Sequence, residues 1–325
     1  MGKPKAGTNI FAIIFKSLML YIKNFLPLTR VTLFPVFGQL IGLILIFYPT
    51  YLYREQFLVK LSAQNLQQNL VFVLLGLILI VVPGFAIFMK AFWDYMIITA
   101  SLNTMVSDIV KNGNLGNSNN HNNSVKLRTR EYIILLFVLT LFWLLLLFLP
   151  YLVCIPVAIF SFTLVMPVFS LMMLIYGIFT VVLSVNHSLI FQIFSFESKS
   201  TIEIIKKSWY LIKGNFWRTC FMGIILLAIT WWFVPNFFSS IFEKSSLLGY
   251  SVLPFKAYVN LFSQNPIFVE FLTKAKLTTY TLSENLALIT VGIVISSMML
   301  PLGSICFTLL YFDILERKNT KVSKS

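Results

Sequence analysis

The sequence predicts an all-α integral membrane protein with six transmembrane helices, amphipathic helices at the membrane interface and an internal parallel repeat. Three observations lead to this prediction. Hydrophobic residues make up 58% of the 325 residues and charged residues only 11%, whereas soluble domains are about half apolar and a quarter charged. Several apolar runs reach about 20 residues, the length that crosses about 30 Å of hydrocarbon as a helix. One basic, aromatic segment occurs twice.

Six apolar stretches are long enough to span a membrane. They are predicted at residues 31–52, 70–88, 132–149, 157–183, 219–241 and 286–310. Because proline lacks a backbone N–H and breaks regular helix, Pro150 and Pro156 are predicted to bracket a tight turn between the third and fourth spans. Between the fifth and sixth spans, Asn265 at an N-cap and Pro266 at the first helical position predict a short helix.

The basic residues are distributed asymmetrically about these spans. If the N-terminus is cytoplasmic, the inner segments hold 19 of the 25 Lys and Arg residues and seven of the eleven acidic ones. Such a bias sets orientation, with the basic segments inside. We therefore expect a multi-pass membrane protein with both termini in the cytoplasm. The net charge of +14 reflects this topology, and no nucleic-acid partner is expected.

A polar segment separates the second and third spans. Residues 112–123 read NGNLGNSNNHNN, with seven asparagines in twelve positions. Such a segment buries little apolar surface, so it is predicted to be a disordered cytoplasmic linker. His121 lies within it without a second metal-ligating residue nearby in the sequence, and no metal site is predicted there.

The repeated segment occurs at residues 11–25 and 202–216, at an offset of 191 positions. Seven of the fifteen positions are identical without a gap. A shared apolar composition can produce the Ile and Leu matches, but it accounts less easily for the Lys-Ser and Asn-Phe matches. The identical pairs are Ile13/Ile204, Ile14/Ile205, Lys16/Lys207, Ser17/Ser208, Leu20/Leu211, Asn24/Asn215 and Phe25/Phe216.

Each copy is predicted to form an amphipathic helix lying in the headgroup region of the membrane. In the second copy an apolar face is predicted from Ile202, Ile205, Trp209 and Ile212, at helical spacing. Pro27 is predicted to end the first helix and Asn215 the second. Basic residues at this depth attract anionic lipid. The candidate lipid-binding residues are Lys16, Lys23, Lys206, Lys207, Trp209, Lys213, Trp217 and Arg218.

The duplication extends beyond this helix. The second and sixth spans each carry one proline, Pro83 and Pro301. An aspartate follows each proline, Asp94 after 11 positions and Asp313 after 12, and two aromatic residues come directly before each aspartate. Both aspartates are predicted either to hold the basic helices to the bundle or to be solvated helix ends. The predicted units are a first repeat at 1–111, the linker at 112–123, a middle unit at 124–198 and a second repeat at 199–325.

Two motifs carry a resemblance to a known family. They are KKSWYLIKGNFWR at residues 206–218 and LLYFDILERK at residues 309–318, at the end of the last span. These motifs resemble the membrane-domain family named after glycerophosphoryl diester phosphodiesterases, together with related bacterial inner-membrane proteins of unknown function. The resemblance implies a membrane bundle over most of the chain, in a bacterial cytoplasmic membrane. It does not imply phosphodiesterase activity, because spans and loops occupy all 325 residues and neither His121 nor His187 is followed by arginine.

The sequence shows no arrangement typical of catalysis. No Asp, Glu, Lys or Arg lies in the middle of a predicted span, where ionisable residues mark ion pathways. His187 and Gln192 are interpreted as the lining of a small cavity or as a polar helix end. We therefore expect a non-enzymatic protein of membrane organisation or envelope homeostasis that contacts anionic lipid and needs no metal or cofactor. The alternative is a permease or lipid transporter with a cavity between the repeats lined by Pro83, Pro167 and Pro301.

Overall fold

The computed structural model describes residues 9–52, 66–112, 118–160, 165–262 and 266–322. Within these ranges the chain forms thirteen α-helices and one π-helical turn, and no strand. The α-helices are α1 (Ile10–Lys23), α2 (Phe25–Leu52), α3 (Leu66–Asn112), α4 (Ser118–Leu127), α5 (Thr129–Phe160), α6 (Val165–His187), α7 (Ile190–Phe196), α8 (Thr201–Ile212), α9 (Phe216–Leu227), α10 (Val234–Glu243), α11 (Leu247–Phe262), α12 (Pro266–Lys274) and α13 (Thr279–Val322).

Six stretches of the described helices are long and apolar enough to cross a membrane. Large apolar side chains along them are exposed, among them Phe137, Leu145 and Leu174, and an exposed apolar surface of this extent suits contact with lipid. The protein is thus an all-α multi-pass membrane protein, as the sequence predicts. The six stretches are Phe25–Ile46, Val81–Val110, Thr129–Pro150, Met166–Phe196, Phe216–Glu243 and Thr279–Thr320.

Prolines interrupt the helices less than the sequence predicts. Pro150 and Pro156 lie inside α5, which continues to Phe160, so the predicted tight turn between them is wrong. In a membrane helix, the carbonyls that a proline frees find other partners. Pro27 does not end α1, because α1 stops before Asn24 and Pro27 lies in the first turn of α2. Proline is tolerated there, since first-turn N–H groups lack an intrahelical acceptor.

The Asn-rich segment is partly helical. Residues 118–123 belong to α4, so the prediction of a disordered linker is wrong for this half, and residues 113–117 lie outside the described ranges. Side chains of α3 hold the helix. Asn122 Oδ1 accepts a hydrogen bond from Ser101 Oγ at 2.7 Å, and His121 Nε2 lies 3.2 Å from Asp108 Oδ2. These tertiary contacts override the low helix propensity of asparagine.

The fifth span is not a uniform α-helix. A π-helical turn, Ala228–Phe233, joins α9 to α10. Pro235 follows it at the start of α10 and cannot donate to the carbonyl of Trp231, which accounts for the break in the α-helical pattern. Thr230 is buried in the turn, whereas Trp231, Trp232 and Phe233 are exposed.

The described residues between the fifth and sixth spans form two helices, α11 and α12. α12 begins at Pro266, as predicted from proline at a first helical position, whereas Asn265 lies outside the described ranges. α11 was not predicted. Leu248 and Val252 of α11 form a small buried cluster with Ala287 of α13.

The chain forms two compact units. The first comprises Met1–Asn24, Ala100–Leu226 and Leu302–Ser325, and the second comprises Phe25–Thr99 and Leu227–Pro301. The first unit contains both copies of the repeated helix, together with the ends of α3 and α13.

Glycines bring α2 and α3 into close contact in the second unit. A Cβ atom added to Gly38 would lie 2.7 Å from the Cβ of Ala91, and one added to Gly42 would lie 2.6 Å from the backbone N of Phe88. Gly38 and Gly42 are four residues apart, the spacing at which small residues let membrane helices approach closely. This close approach was not predicted from the sequence.

Candidate lipid-binding interface

The two copies of the repeated segment, α1 and α8, are here called the collar helices. They begin at equivalent positions, Ile10 and Thr201, and the helices that follow them begin at the equivalent Phe25 and Phe216. Each of these pairs is 191 positions apart. The correspondence of helix boundaries therefore matches the correspondence of sequence.

The conserved asparagines form the same hydrogen bond at the end of each collar helix. Asn24 Nδ2 donates to the carbonyl of Leu20 at 3.0 Å, and Asn215 Nδ2 donates to the carbonyl of Leu211 at 3.3 Å. The last carbonyls of a helix lack intrahelical donors. The Asn215 amide supplies one to Leu211, whereas in α1 the Asn24 amide adds a second bond to the Leu20 carbonyl, which also accepts from the backbone N–H of Asn24 at 3.1 Å.

The collar helices bury equivalent faces. The buried positions of α1 are Ile13, Ser17, Leu20 and Tyr21, and those of α8 are the equivalent Ile204, Ser208, Leu211 and Ile212. In α8 this face packs on α5, α6 and α7, and Ser208 Oγ donates to the carbonyl of Asn186. Three of the seven identical pairs thus lie on the face that packs against protein.

The predicted apolar face of α8 is wrong in part. Ile212 belongs to the buried face, whereas Ile202 and Trp209 are exposed. Exposed Tyr210 lies beside Trp209, and the cations Lys206 and Lys213 are also exposed. α8 therefore has a protein-packed face and a separate exposed side that carries both apolar and cationic groups.

The exposed side of α1 is more strongly apolar. Lys23 is exposed, while Lys16 is half-buried, and desolvation lowers the pKa of Lys16 below its ordinary value. Five large apolar side chains are exposed at helical spacing. They are Phe11, Phe15, Leu18, Met19 and Ile22.

Lys207, a predicted lipid contact, instead pairs with protein. Its Nζ lies 2.5 Å from Glu197 Oε1, and Glu197 also accepts from Tyr311 of α13 at 2.7 Å and pairs with Lys199 at 3.2 Å. Burial raises the pKa of Glu197, but these hydrogen bonds and the charge of Lys207 outweigh it, so the pKa lies below its ordinary value. Glu197 thereby connects α8 to α13, a role that was not predicted from the sequence.

A second contact joins α13 to the end of α8. Lys318 Nζ donates to the carbonyl of Lys213 at 3.0 Å and lies 4.5 Å from the ring centre of Tyr210. A cation at the C-terminal end of a helix is favourable because the carbonyls there carry partial negative charge. The contacts of Lys318 were likewise not predicted from the sequence.

The two aspartates predicted to hold the collar helices differ in their surroundings. Asp313 is fully buried, and its Oδ2 lies 2.9 Å from both Arg218 Nη2 and Arg317 Nε. It connects α13 to α9 rather than to a collar helix. Asp94 pairs with Lys90 of its own helix, and both side chains are partly exposed. The predicted link between a collar helix and the bundle is therefore made by Glu197, which contacts Lys207 of α8 and Tyr311 of α13, and not by Asp313.

Arg218 and Arg317 also line an open groove of about 550 Å³ beside the start of α9. Trp217, which is 70% exposed, contributes its ring to the wall next to that of Phe221. Ile10 of α1 completes the apolar part of the lining. The predicted lipid contacts Trp217 and Arg218 thus share one concave surface.

His187 and Gln192 occupy separate sites. The ring of His187 lies 5.4 to 6.0 Å from those of Phe142, Trp143 and Trp209. Gln192 is buried and donates to Asn103. The cavity interpretation that grouped His187 with Gln192 is therefore wrong.

Gln192 belongs to a buried polar cluster that joins three helices. Asn103 Oδ1 of α3 accepts from Gln192 Nε2 of α7 at 3.4 Å and from Ser304 Oγ of α13 at 2.8 Å. Asn103 Nδ2 donates to Ser195 Oγ at 3.3 Å. These partners are up to 201 residues apart in sequence, so no local pattern could have identified them.

Among the described residues, no three His, Cys, Asp or Glu side chains come together in a group that could hold a metal ion. The chain matches no known protein family, no functionally described protein and no solved structure.

Proposed function

We propose that this protein is a non-enzymatic membrane protein that organises anionic lipid around its collar helices. The observation that carries the proposal is the division of each collar helix into two sides. Equivalent residues of α1 and α8 face protein, while large apolar side chains and the cations Lys23, Lys206 and Lys213 remain exposed. A helix with exposed apolar and basic groups suits the boundary between headgroups and acyl chains.

The charge distribution supports contact with anionic lipid in particular. Lys and Arg near a negatively charged leaflet contribute about 1 kcal/mol each. With both termini in the cytoplasm of a bacterial cell, as the distribution of basic residues predicts, the collar helices lie at the inner leaflet. The repeat then has a physical role, since each copy holds the span that follows it at the same membrane depth. The family resemblance carried by residues 206–218 and 309–318 stays a prediction.

Lipids retained by the protein test this proposal. The protein is extracted in native-membrane nanodiscs, and its lipids are compared with the bulk membrane by mass spectrometry. We expect enrichment of anionic lipid around the wild-type protein. Replacing the three exposed collar lysines by glutamine should reduce the enrichment at least about fivefold, because the loss of one contribution of about 1 kcal/mol near the surface already corresponds to that factor. The substitutions are Lys23→Gln, Lys206→Gln and Lys213→Gln.

A matched control removes the same charge from the opposite end of the predicted topology. Lys244, Lys256 and Lys276 are exposed and lie in the predicted outer segment, so their replacement by glutamine should leave the enrichment unchanged. Equal enrichment in the wild-type and the collar variant would overturn the proposal. An equal loss in the collar and control variants would show that overall charge, not the collar helices, attracts the lipid.

A further inference from the structure

The two collar helices differ on their exposed sides, although their buried sides correspond. The segment of α8 exposes three charged residues at positions where α1 exposes alanine, phenylalanine and isoleucine. Each charge on the exposed side of the second copy is thus replaced by an apolar group in the first. The equivalent pairs, 191 positions apart, are Ala12/Glu203, Phe15/Lys206 and Ile22/Lys213.

The rest of the exposed side of α1 is apolar too. Phe11, Phe15 and Ile22 are 62% to 70% exposed, and Leu18 and Met19 between them are also exposed. The side extends over about three turns of the helix. Apolar area in contact with water is unfavourable, so the exposed side of α1 favours an apolar surrounding.

Contacts with α13 lie at different levels of the last span for the two collar helices. Ser17 of α1 is hydrogen-bonded to the thiol of Cys306, seven residues before Asp313, the next charged residue of α13. The carbonyl of Lys213, at the end of α8, accepts a hydrogen bond from Lys318. Cys306 and Lys318 are 12 residues apart, which is about 18 Å along a helix. The contact of α1 thus lies in the apolar part of α13, and that of α8 lies in its charged end.

We propose that α1 lies deeper in the membrane than α8, with its exposed side against lipid acyl chains, while α8 lies among the headgroups. Lipid is the apolar surrounding next to α1 along the chain, because only Asn24 separates this helix from the span that begins at Phe25. In α8 the lysines, Trp209 and Tyr210 suit the boundary with water. The inference rests on the proposed function in placing both collar helices against lipid, but not in the preference for anionic headgroups.

The connections to the following spans permit this difference in depth. Asn24 alone joins α1 to its span, whereas Lys213, Gly214 and Asn215 join α8 to the span that begins at Phe216. A residue covers at most about 3.6 Å of extended chain. The two further residues therefore let α8 lie up to about 7 Å further from the start of its span, and both spans can still begin at the same depth.

Nitroxide labels on the purified full-length protein in phosphatidylcholine vesicles test the inference. In a background without native cysteines, labels are attached at position 19 or 210, the equivalent exposed sites of Met19 and Tyr210. Collisions with oxygen and with a water-soluble nickel complex give the depth of each label. We expect the label at position 19 to lie about 5 Å or more deeper, because an apolar helix face enters the membrane by about 5–10 Å.

Labels at the starts of the two spans are the matched control. Leu26 and Trp217 are equivalent positions, 191 residues apart, and both are exposed. Their labels should report equal depths. A difference between them as large as that between positions 19 and 210 would overturn the inference, because it would shift the whole repeat unit rather than one collar helix.

Adding charge to α1 tests the physical cause. Phe15→Lys combined with Ile22→Lys gives α1 the lysines of α8, and the label at position 19 should then lie at about the depth of the label at position 210. Phe15→Leu combined with Ile22→Leu changes the same exposed positions without adding charge, and it should leave the depth unchanged. An unchanged depth in the lysine variant would overturn the inference. The comparison of the two labels in the otherwise unchanged chain does not depend on how these variants fold.

The remaining outcomes distinguish the occupant of the exposed side. Equal depths at positions 19 and 210 would overturn the inference. A label at position 19 that neither reagent reaches, with magnetic broadening between copies, would assign this side to a second copy of the chain instead of lipid. The depth at position 19 should be the same in vesicles with equal amounts of phosphatidylcholine and phosphatidylglycerol, and a depth that requires the anionic lipid would overturn the inference. Failure of anionic enrichment in nanodiscs would overturn the proposed function but leave this depth difference in place.

Discussion

Exchanging a glycine and an alanine across the contact between α2 and α3 tests how closely these helices pack. A Cβ added at Gly38 would lie 2.7 Å from the Cβ of Ala91, whereas carbon atoms in contact prefer about 3.5–4.0 Å. Gly38→Ala therefore requires the helices to separate by about 1 Å at this point. The next atom within reach is the Cα of Ala91 at 3.9 Å, an ordinary contact distance. One methyl group thus accounts for the whole clash.

The expected magnitude follows from two opposing effects. Overpacking costs about 1–3 kcal/mol, while replacing glycine by alanine inside a helix contributes about 0.5–1 kcal/mol of stability. We therefore expect Gly38→Ala to lower the free energy of unfolding by roughly 1–2 kcal/mol. Adding Ala91→Gly removes the clashing methyl group. The double variant contains the same two residue types as the wild-type, exchanged across the interface, and should recover most of the lost stability.

Equilibrium unfolding in mixed micelles with increasing SDS, followed by circular dichroism, measures these differences. Gly177→Ala is the matched control, because a Cβ there would meet no atom within 4 Å and the substitution should not destabilise. Gly42→Ala should destabilise without rescue at Phe88, since the obstructing atoms include its backbone N and Cα at 2.6 and 2.8 Å. The packing argument is wrong if Gly38→Ala is as stable as the wild-type, or if Ala91→Gly fails to restore it.

Further predictions concern the polar contacts and the topology. Asp313→Asn should lower the free energy of unfolding by about 3–5 kcal/mol, because it leaves two arginines without their buried carboxylate. Asp94→Asn should lower it by at most about 0.5 kcal/mol. Similar losses for the two variants in SDS titrations would contradict this prediction. The pKa of Glu197 is lower in the folded than in the unfolded protein, so its stabilisation is present above the unfolded pKa and is lost as pH falls through the folded one. Thermal unfolding should accordingly show a smaller decrease in stability below about pH 4.5 for Glu197→Gln than for the wild-type, and parallel pH curves would refute this role. In a background without native cysteines, a cysteine that replaces Lys256 should react with impermeant maleimide from outside the cell, and one that replaces Asn120 should not. The reverse pattern would show that the predicted orientation in the membrane is wrong.

The membrane class and the six spans could be predicted from sequence because they depend on the local density of apolar residues. About 20 apolar residues in succession form a spanning helix whatever their partners are. The start of α12 at Pro266 was predictable for a related reason, since proline suits a first helical position in any context. The helical half of the Asn-rich segment was not predictable, because its contacts with Ser101 and Asp108 override composition.

The repeat shows where pattern and packing differ. The correspondence of α1 and α8 is visible in the sequence, through Ile13, Ser17 and Leu20 and their equivalents. It did not determine which side of each helix faces lipid, because both sides of α8 carry apolar residues and helical periodicity does not distinguish protein from lipid as the apolar partner.

Which charged groups are exposed and which are paired depends on the tertiary contacts of the chain. Lys207 and Lys206 are neighbours in sequence and chemically identical, but Lys207 pairs with Glu197 while Lys206 is exposed. Asp94 and Asp313 share a sequence context, but only Asp313 is buried between two arginines. A local pattern specifies where a side chain lies on its own helix. The role of a charge depends on partners outside its own helix, such as Glu197 for Lys207 and Arg218 for Asp313. A charge withdrawn from water is costly unless an opposite charge lies beside it.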